Sequence, residues 1–142
     1  MTRMTRPQAG QKLVDGVRAD LAACVQMRTL LEHQFDAALR HQSALLSGLA
    51  GELGPALDAM ESRRQQRVTL VRALLGPKGS MAEFIAGMAE PARTALAEDW
   101  RQLEQLVVDC KAATVRNGSL LAEQFSIMQR VLHGEEDIYA PR

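Results

Sequence analysis

The feature that most constrains the fold is a run of residues near the carboxyl end that recur at alternating steps of four and three. Such steps place side chains on one face of an α-helix, and their alternation is typical of a coiled-coil seam. A helix over residues 91–132 is ~63 Å long at 1.5 Å per residue. Gly134 and the three acidic residues after it predict its end. The seam positions are Leu96, Trp100, Leu103, Val107, Cys110, Thr114, Asn117, Leu121, Gln124, Met128 and Val131.

Two further long helices are predicted upstream. The stripe of the first helix is interrupted by Arg28, whose aliphatic stem can pack while its guanidinium reaches water. The second helix ends at Gly76 and Pro77, a glycine cap followed by a proline stop. The first stripe consists of Val14, Val17, Leu21, Cys24, Leu31, Phe35 and Ala38, and the second of Leu57, Met60, Arg64, Arg67 or Val68, Val71, Leu74 and Leu75.

The sequence signals for the connections between the helices are weaker. Ser43 and the glycine–proline pair at 54–55 are alternative helix starts. The first reversal is therefore predicted between residues 41 and 55, with a kink or restart at Pro55. Ser80 and Glu83 match a capping box, which predicts a short helix through Met88. Residues 1–6 and 134–142 are expected to be flexible.

Composition agrees with a helical fold. Aromatic residues make up 4% of the chain, fewer than sheet proteins favour, whereas 46% of residues are hydrophobic and can form a core. The length of 142 residues is typical of one domain. We predict a single all-α domain over residues 1–142, an elongated antiparallel bundle of three long helices with one short connecting helix.

Charge and cysteine usage exclude several classes of protein. The 17 basic and 17 acidic residues cancel, which argues against a dedicated binder of nucleic acid or acidic membranes. The longest uncharged run, residues 41–51, is too short for a membrane span, and the amino end lacks an apolar signal segment. Cys24 and Cys110 have no metal-binding spacing, so we predict buried, reduced thiols in a cytoplasmic protein.

Catalytic chemistry finds no support in the sequence. His33, His41 and His133 form no metal-binding pair with a carboxylate, and each is interpreted as a surface residue. Nucleophile, phosphate-loop and dinucleotide motifs are absent, so we predict no enzyme activity and no cofactor. A cluster of arginines on the second helix is interpreted as a solvated, ion-paired face, and consists of Arg63, Arg64, Arg67 and Arg72.

The segment beyond Asn117 has more apolar residues than one seam can bury. Leu120 and Leu121 point 100° apart on a helix, as do Ile127 and Met128. Either the bundle is wide at this end, or the segment keeps an apolar face for a partner. Asn117 itself lies on the seam. It either marks a fixed helix register or a bend near Gly118, or it is a solvated residue at the edge.

Residues 115–124, which read Val-Arg-Asn-Gly-Ser-Leu-Leu-Ala-Glu-Gln, resemble the asparagine–glycine signature of the FlgN family of flagellar type III export chaperones. Thr114 departs from that pattern, since a second Asn is common one turn before the Asn-Gly. Further similar features, in order along the chain, are Leu31-Glu32, Ala38-Leu39, the run 64–76 ending in Ala-Leu-Leu-Gly, Trp100 at the start of the last helix, and Tyr139 followed by Pro141.

The resemblance implies a cytoplasmic chaperone that holds the hook–filament junction proteins FlgK and FlgL by their C-terminal helical segments. It also implies docking at the export gate protein FlhA, in which the tail tyrosine, Tyr139 here, takes part. Combined with the apolar excess, it predicts a client-binding surface made of Asn117, Leu120, Leu121, Gln124, Phe125, Ile127, Met128, Val131 and Leu132.

Two other classes of function remain open at this point. A helical adaptor or coiled-coil scaffold has the same sequence pattern, but binds itself or a stable folded partner rather than isolated helical peptides. A bundle enzyme or metal carrier is the third class, and lacks recognisable site residues.

Overall fold

The computed structural model describes the backbone of residues 4–139 and the side chains of residues 4–134. It contains four helices, α1 (Arg6–Leu39), α2 (Ser43–Leu75), α3 (Met81–Ala86) and α4 (Ala92–Tyr139). This part of the chain has no strand. The prediction of an all-α chain with three long helices and one short one is confirmed.

Helix ends are fixed by local hydrogen bonds. Thr5 and Gln8 form a capping box at the start of α1. The Ser80 hydroxyl accepts a hydrogen bond of 3.2 Å from the Glu83 amide and starts α3, as the sequence predicts. Gly76 ends α2 with a φ of 94°, a left-handed conformation that favours glycine. The helix α3 ends at Ala86, before the predicted Met88.

The first reversal lies at residues 40–42, at the early edge of the predicted interval. His41 adopts a φ of 55° there, and α2 begins at Ser43 with Gln42 as its cap residue. Pro55 lies inside α2, so the alternative of a helix restart at Pro55 is wrong. Proline removes the hydrogen bond to the Gly51 carbonyl, but Gly51 is exposed and water can satisfy it.

The last helix continues past its predicted end. Gly134 is exposed within α4, and the backbone stays helical to Tyr139. One glycine costs ~1 kcal/mol in a helix interior, which is too little to force an end by itself. The predicted flexibility of residues 1–6 and 134–142 stays a prediction, and residues 1–3 and 140–142 lie outside the described residues.

Helix α1 supports both other long helices. The helices α1 and α4 run parallel with a constant offset of 86 residues, since Cys110 contacts Cys24, Asn117 contacts Leu31 and Gln124 contacts Ala38. These pairs recur every seven residues, as in a parallel coiled coil. The helix α2 runs antiparallel to α1, and no Cα atom of α2 lies within 8 Å of one in α4 among the described helices.

The seam of α1 contains a buried charge that the predicted stripe omitted. Asp20 is 1% exposed and accepts hydrogen bonds from Arg63 and Arg67 of α2. The Arg67 guanidinium also lies 5.4 Å from the centre of the Trp100 ring, so one network joins α1, α2 and α4. Among the ion pairs of the described residues, that of Arg64 with Glu61, at 2.7 Å, fits the predicted solvated, ion-paired face, whereas Arg63 and Arg67 pair with the buried Asp20.

Candidate binding surface on the last helix

Two amides fix α4 on α1 just before the end of α1. Asn117 is 1% exposed, and its Nδ2 donates to the Leu31 carbonyl and the Gln34 side chain, both at 2.8 Å. The Gln124 Nε2 donates to the Ala38 carbonyl at 2.9 Å. A buried amide at a seam position penalises other registers, because a shift leaves it unpaired. Of the two alternatives for Asn117, the structure supports the fixed register.

Arg116 strengthens this attachment. Its guanidinium donates to the Asn117 Oδ1 at 3.1 Å and lies 3.1 Å from a carboxylate oxygen of Glu32. It also stacks 4.0 Å from the centre of the Phe35 ring. These contacts therefore fix the position of α4 relative to α1 as far as Gln124.

Beyond that level, no other helix of the described part of the chain continues beside α4. The helix α1 ends at Leu39 and α2 starts back from Ser43, whereas α4 continues to Tyr139. Residues 125–139, which we name the overhang, extend ~22 Å past the described ends of α1 and α2 at 1.5 Å per residue. The large apolar side chains at positions 125–132 of the overhang are exposed, for example Phe125 at 65% and Met128 at 57%.

The apolar face of the overhang continues the face of α4 that packs against α1 in the part of α4 up to Gln124. At 100° per residue, its apolar positions fall within an arc of about 160° that also contains Asn117 and Gln124. Those two residues face α1, so the exposed arc is the continuation of the α1-facing seam. A helix placed beyond the end of α1 can bury it as α1 buries the seam below.

The nine residues predicted as a binding surface separate into three groups. Asn117 and Gln124 are occupied by α1 and do not belong to the uncovered face. Leu120 and Leu121 are half-buried at its base. The uncovered group consists of Phe125, Ile127, Met128, Val131 and Leu132. The side chain of Tyr139 lies outside the described residues, although its backbone ends α4.

A second apolar surface was not predicted from the sequence. Because α2 and α4 stay apart, a groove of about 770 Å³ opens between them over α1. We name it the α2–α4 groove. Its floor includes Cys24 and Met27, and its walls include Leu57 of α2 and Val115 of α4. The groove exists because α2 and α4 stand apart. The apolar pattern of a single helix does not show how far that helix lies from another.

The two cysteines are structural. Both are buried and free, as predicted, and the Cys110 thiol lies 3.7 Å from the Cys24 carbonyl. Burial, with the nearby Cys110 and Asp20, raises the pKa of the Cys24 thiol to about 11, and burial also raises the pKa of Cys110. Both thiols are protonated at neutral pH and are poor nucleophiles. The described residues contain no group of three potential His, Cys, Asp or Glu metal ligands.

The fold and this surface define a helical bundle protein with an uncovered apolar face on its last helix. A family model described as FlgN protein matches residues 4–133, nearly the whole chain. The chain therefore belongs to the FlgN family, which is a family of flagellar export chaperones rather than of enzymes. The searches of curated proteins and of solved structures find no match. None of the helices in the described part of the chain contains an apolar stretch that could span a bilayer.

Proposed function

We propose that this chain binds the C-terminal helical segments of the junction proteins FlgK and FlgL in the cytoplasm and delivers them to the export gate protein FlhA. The observation that carries this proposal is the overhang, whose apolar face continues the α1-facing seam and is left uncovered. The membership of the FlgN family supplies the class of client, since this family binds flagellar hook-associated proteins.

The overhang suits an amphipathic client helix. Such a helix takes the place that α1 occupies lower on α4, with its own apolar stripe against Phe125 and Met128. Burial of ~400 Å² of apolar surface at ~25 cal/mol/Å² contributes about 10 kcal/mol before costs. Lost rigid-body freedom and the ordering of the client remove much of this energy. Micromolar to sub-micromolar binding results, which permits release at the gate.

The composition of the surface suits two different clients. Met128 has a flexible, polarizable side chain that adapts to partners of different shape. Phe125 provides a large apolar area. Over residues 125–134 the apolar arc contains no charged residue, so a stripe of apolar residues on a client helix is sufficient for binding there.

Co-purification with the clients tests the proposal against the scaffold alternative. We expect the chain to retain full-length FlgK and FlgL, and to retain isolated peptides from their C-terminal helical segments. It should lose both proteins when those segments are deleted. Retention of the truncated clients, or failure to bind the isolated peptides, contradicts the proposal and favours an adaptor that binds folded partners.

The role proposed for Tyr139 is tested by its replacement. Tyr139→Ala should leave the affinity for client peptides unchanged and weaken binding of the chaperone–client complex to FlhA, measured by calorimetry. Tyr139→Phe separates the ring from the hydroxyl group. Unchanged affinity of the Tyr139→Ala complex for the gate protein removes this residue from the mechanism.

A further inference from the structure

Sulfur-containing side chains from all three long helices line the α2–α4 groove. Cys24 and Met27 come from α1, Met60 from α2 and Cys110 from α4. The sulfur atoms of Cys24 and Met60 are 3.9 Å apart, and the Cys110 sulfur lies 3.7 Å from the Cys24 carbonyl oxygen. Met27 and Cys110 belong to one buried cluster, against which Met60 packs. The proposed function uses none of these sulfur atoms.

The spacing of these sulfur atoms suits ligands of one metal ion. Two sulfur ligands at ~2.3 Å from a metal, the length of a zinc–thiolate bond, lie ~4.0 Å apart when three ligands surround the metal in a plane. The Cys24 and Met60 sulfur atoms already have this separation, at 3.9 Å. The register of α1 and α4 places Cys110 beside Cys24, so a third sulfur is available at the same level of the bundle.

The chemistry of this ligand set favours a soft cation. Thiolate and thioether sulfur select copper(I), whereas hard cations such as Mg²⁺ need oxygen ligands. Structural zinc sites use four thiolate or imidazole ligands, and no histidine is among the residues that line the groove in the described part of the chain. The nearest buried carboxylate, Asp20, is already bonded to Arg63 and Arg67. Copper(I) is therefore the metal that fits.

We propose that the α2–α4 groove binds one copper(I) ion through the thiolates of Cys24 and Cys110 and the thioether of Met60. The Met27 thioether is the available fourth ligand. Each thiol releases one proton to solvent as its sulfur binds, so one Cu⁺ replaces two protons and no electron is transferred. The two cysteines then have a ligand role besides their packing in the core. This inference goes beyond the proposed function, which concerns the overhang.

Two arginines stabilise the thiolates that the site requires. Burial, with the nearby Cys110 and Asp20, raises the pKa of the Cys24 thiol to about 11, whereas the positive charge of Arg63 acts in the opposite direction. Burial also raises the pKa of Cys110, and the charge of Arg28 opposes that effect. A copper(I) ion with two thiolates carries one net negative charge. The two guanidinium groups offset this charge in the bound state.

Competition for copper(I) with the chelator bathocuproine disulfonate, without oxygen and with a non-thiol reductant, tests the site on the full chain. We expect one ion per wild-type chain. Cys110→Ala should weaken binding by about a hundredfold or more, and Met60→Leu, which conserves side-chain volume and keeps the fold, by about tenfold or more. Met81→Leu, the same substitution at a core position outside the groove, is the control and should bind as the wild type does.

Proton release gives the site a specific pH dependence. Because two thiols lose protons, the affinity for copper(I) should rise about a hundredfold from pH 7 to pH 8 in the wild type, and about tenfold in Cys110→Ala. Asp, Glu, Lys and Arg side chains ordinarily change charge outside this range and add nothing to the slope. The charged residues around the thiols are Asp20, Arg28, Asp58, Glu61, Arg63, Arg64, Arg67, Asp109 and Lys111.

Thermal unfolding gives a second measurement, because an ion that binds the folded chain and joins three helices stabilises it. One equivalent of copper(I) should raise the melting temperature of the wild type and of Met81→Leu by about 5 °C, and that of Met60→Leu by clearly less. Three results overturn the proposal: a wild-type chain that does not compete with the chelator, wild-type affinity in Met60→Leu, which means binding by the thiols alone, or an affinity that does not change with pH.

Discussion

Replacing Asp20 by Ala should lower the free energy of unfolding by about 3 kcal/mol, because removal of one partner from a buried ion pair leaves the other charge uncompensated. Asp20 is 1% exposed and is shared by Arg63 and Arg67. Arg67 is held between this carboxylate and the Trp100 ring, and only 12% of its side chain is exposed to water. In a chain of this size we expect the melting temperature to fall by about 10 °C.

Urea denaturation followed by far-UV circular dichroism measures this effect. The matched control is Asp15→Ala on the same helix, since Asp15 is exposed and its side chain bonds only Gln11, at 2.9 Å. The control should change the free energy of unfolding by less than about 0.5 kcal/mol. If Asp20→Ala is as stable as Asp15→Ala, the network does not join the three helices as described.

Replacing both Phe125 and Met128 by Ser should abolish detectable binding of FlgK and FlgL peptides while the helical signal stays at its wild-type level. These two side chains are 65% and 57% exposed, so their removal takes little from the core. Loss of most of their apolar contact should weaken binding by about 3 kcal/mol or more, over a hundredfold in Kd.

Calorimetric titration with both client peptides checks this expectation. Val108→Ser is the control, because Val108 is 58% exposed on the same helix but lies below the overhang. It should bind both peptides with wild-type affinity. Wild-type binding by the double variant places the client surface elsewhere on the molecule.

The helices were predictable because their signals are local. Alternating steps of three and four, the Gly76 cap and the Ser80 start are each contained in a few neighbouring residues. The wrong predictions of helix ends fall where one residue that disfavours a helix lies within a longer helical pattern. Pro55 and Gly134 both interrupt helical patterns in sequence, yet each lies at an exposed site in a long helix that continues past it.

The seam of α1 shows what periodicity of apolar residues misses. Asp20 occupies a seam position between Val17 and Cys24, but a carboxylate is not counted as a core residue until its partners are known. Those partners, Arg63 and Arg67, lie more than forty positions away on α2. The spacing of Asp20 within the stripe, together with an arginine cluster on the next helix, was the available signal.

The candidate surface could be predicted only in part, because some of its features depend on contacts between helices that are distant in sequence. An excess of apolar residues beyond Asn117 is visible in the sequence, and the end of α1 at Leu39 explains why that excess stays uncovered. The sequence does not show that Asn117 and Gln124 bond to α1, since this depends on the offset between two distant helices. The α2–α4 groove depends in the same way on how far two helices stand apart.

Site-specific photo-crosslinking tests the central claim most directly, that the client helix lies on the overhang. A benzoylphenylalanine is placed at position 125, 128 or 108 and the chain is irradiated with a FlgK C-terminal peptide. We predict crosslinks to the peptide from positions 125 and 128 and none from 108. Crosslinks from position 108 alone, or none from the overhang while the peptide is bound, would contradict the account.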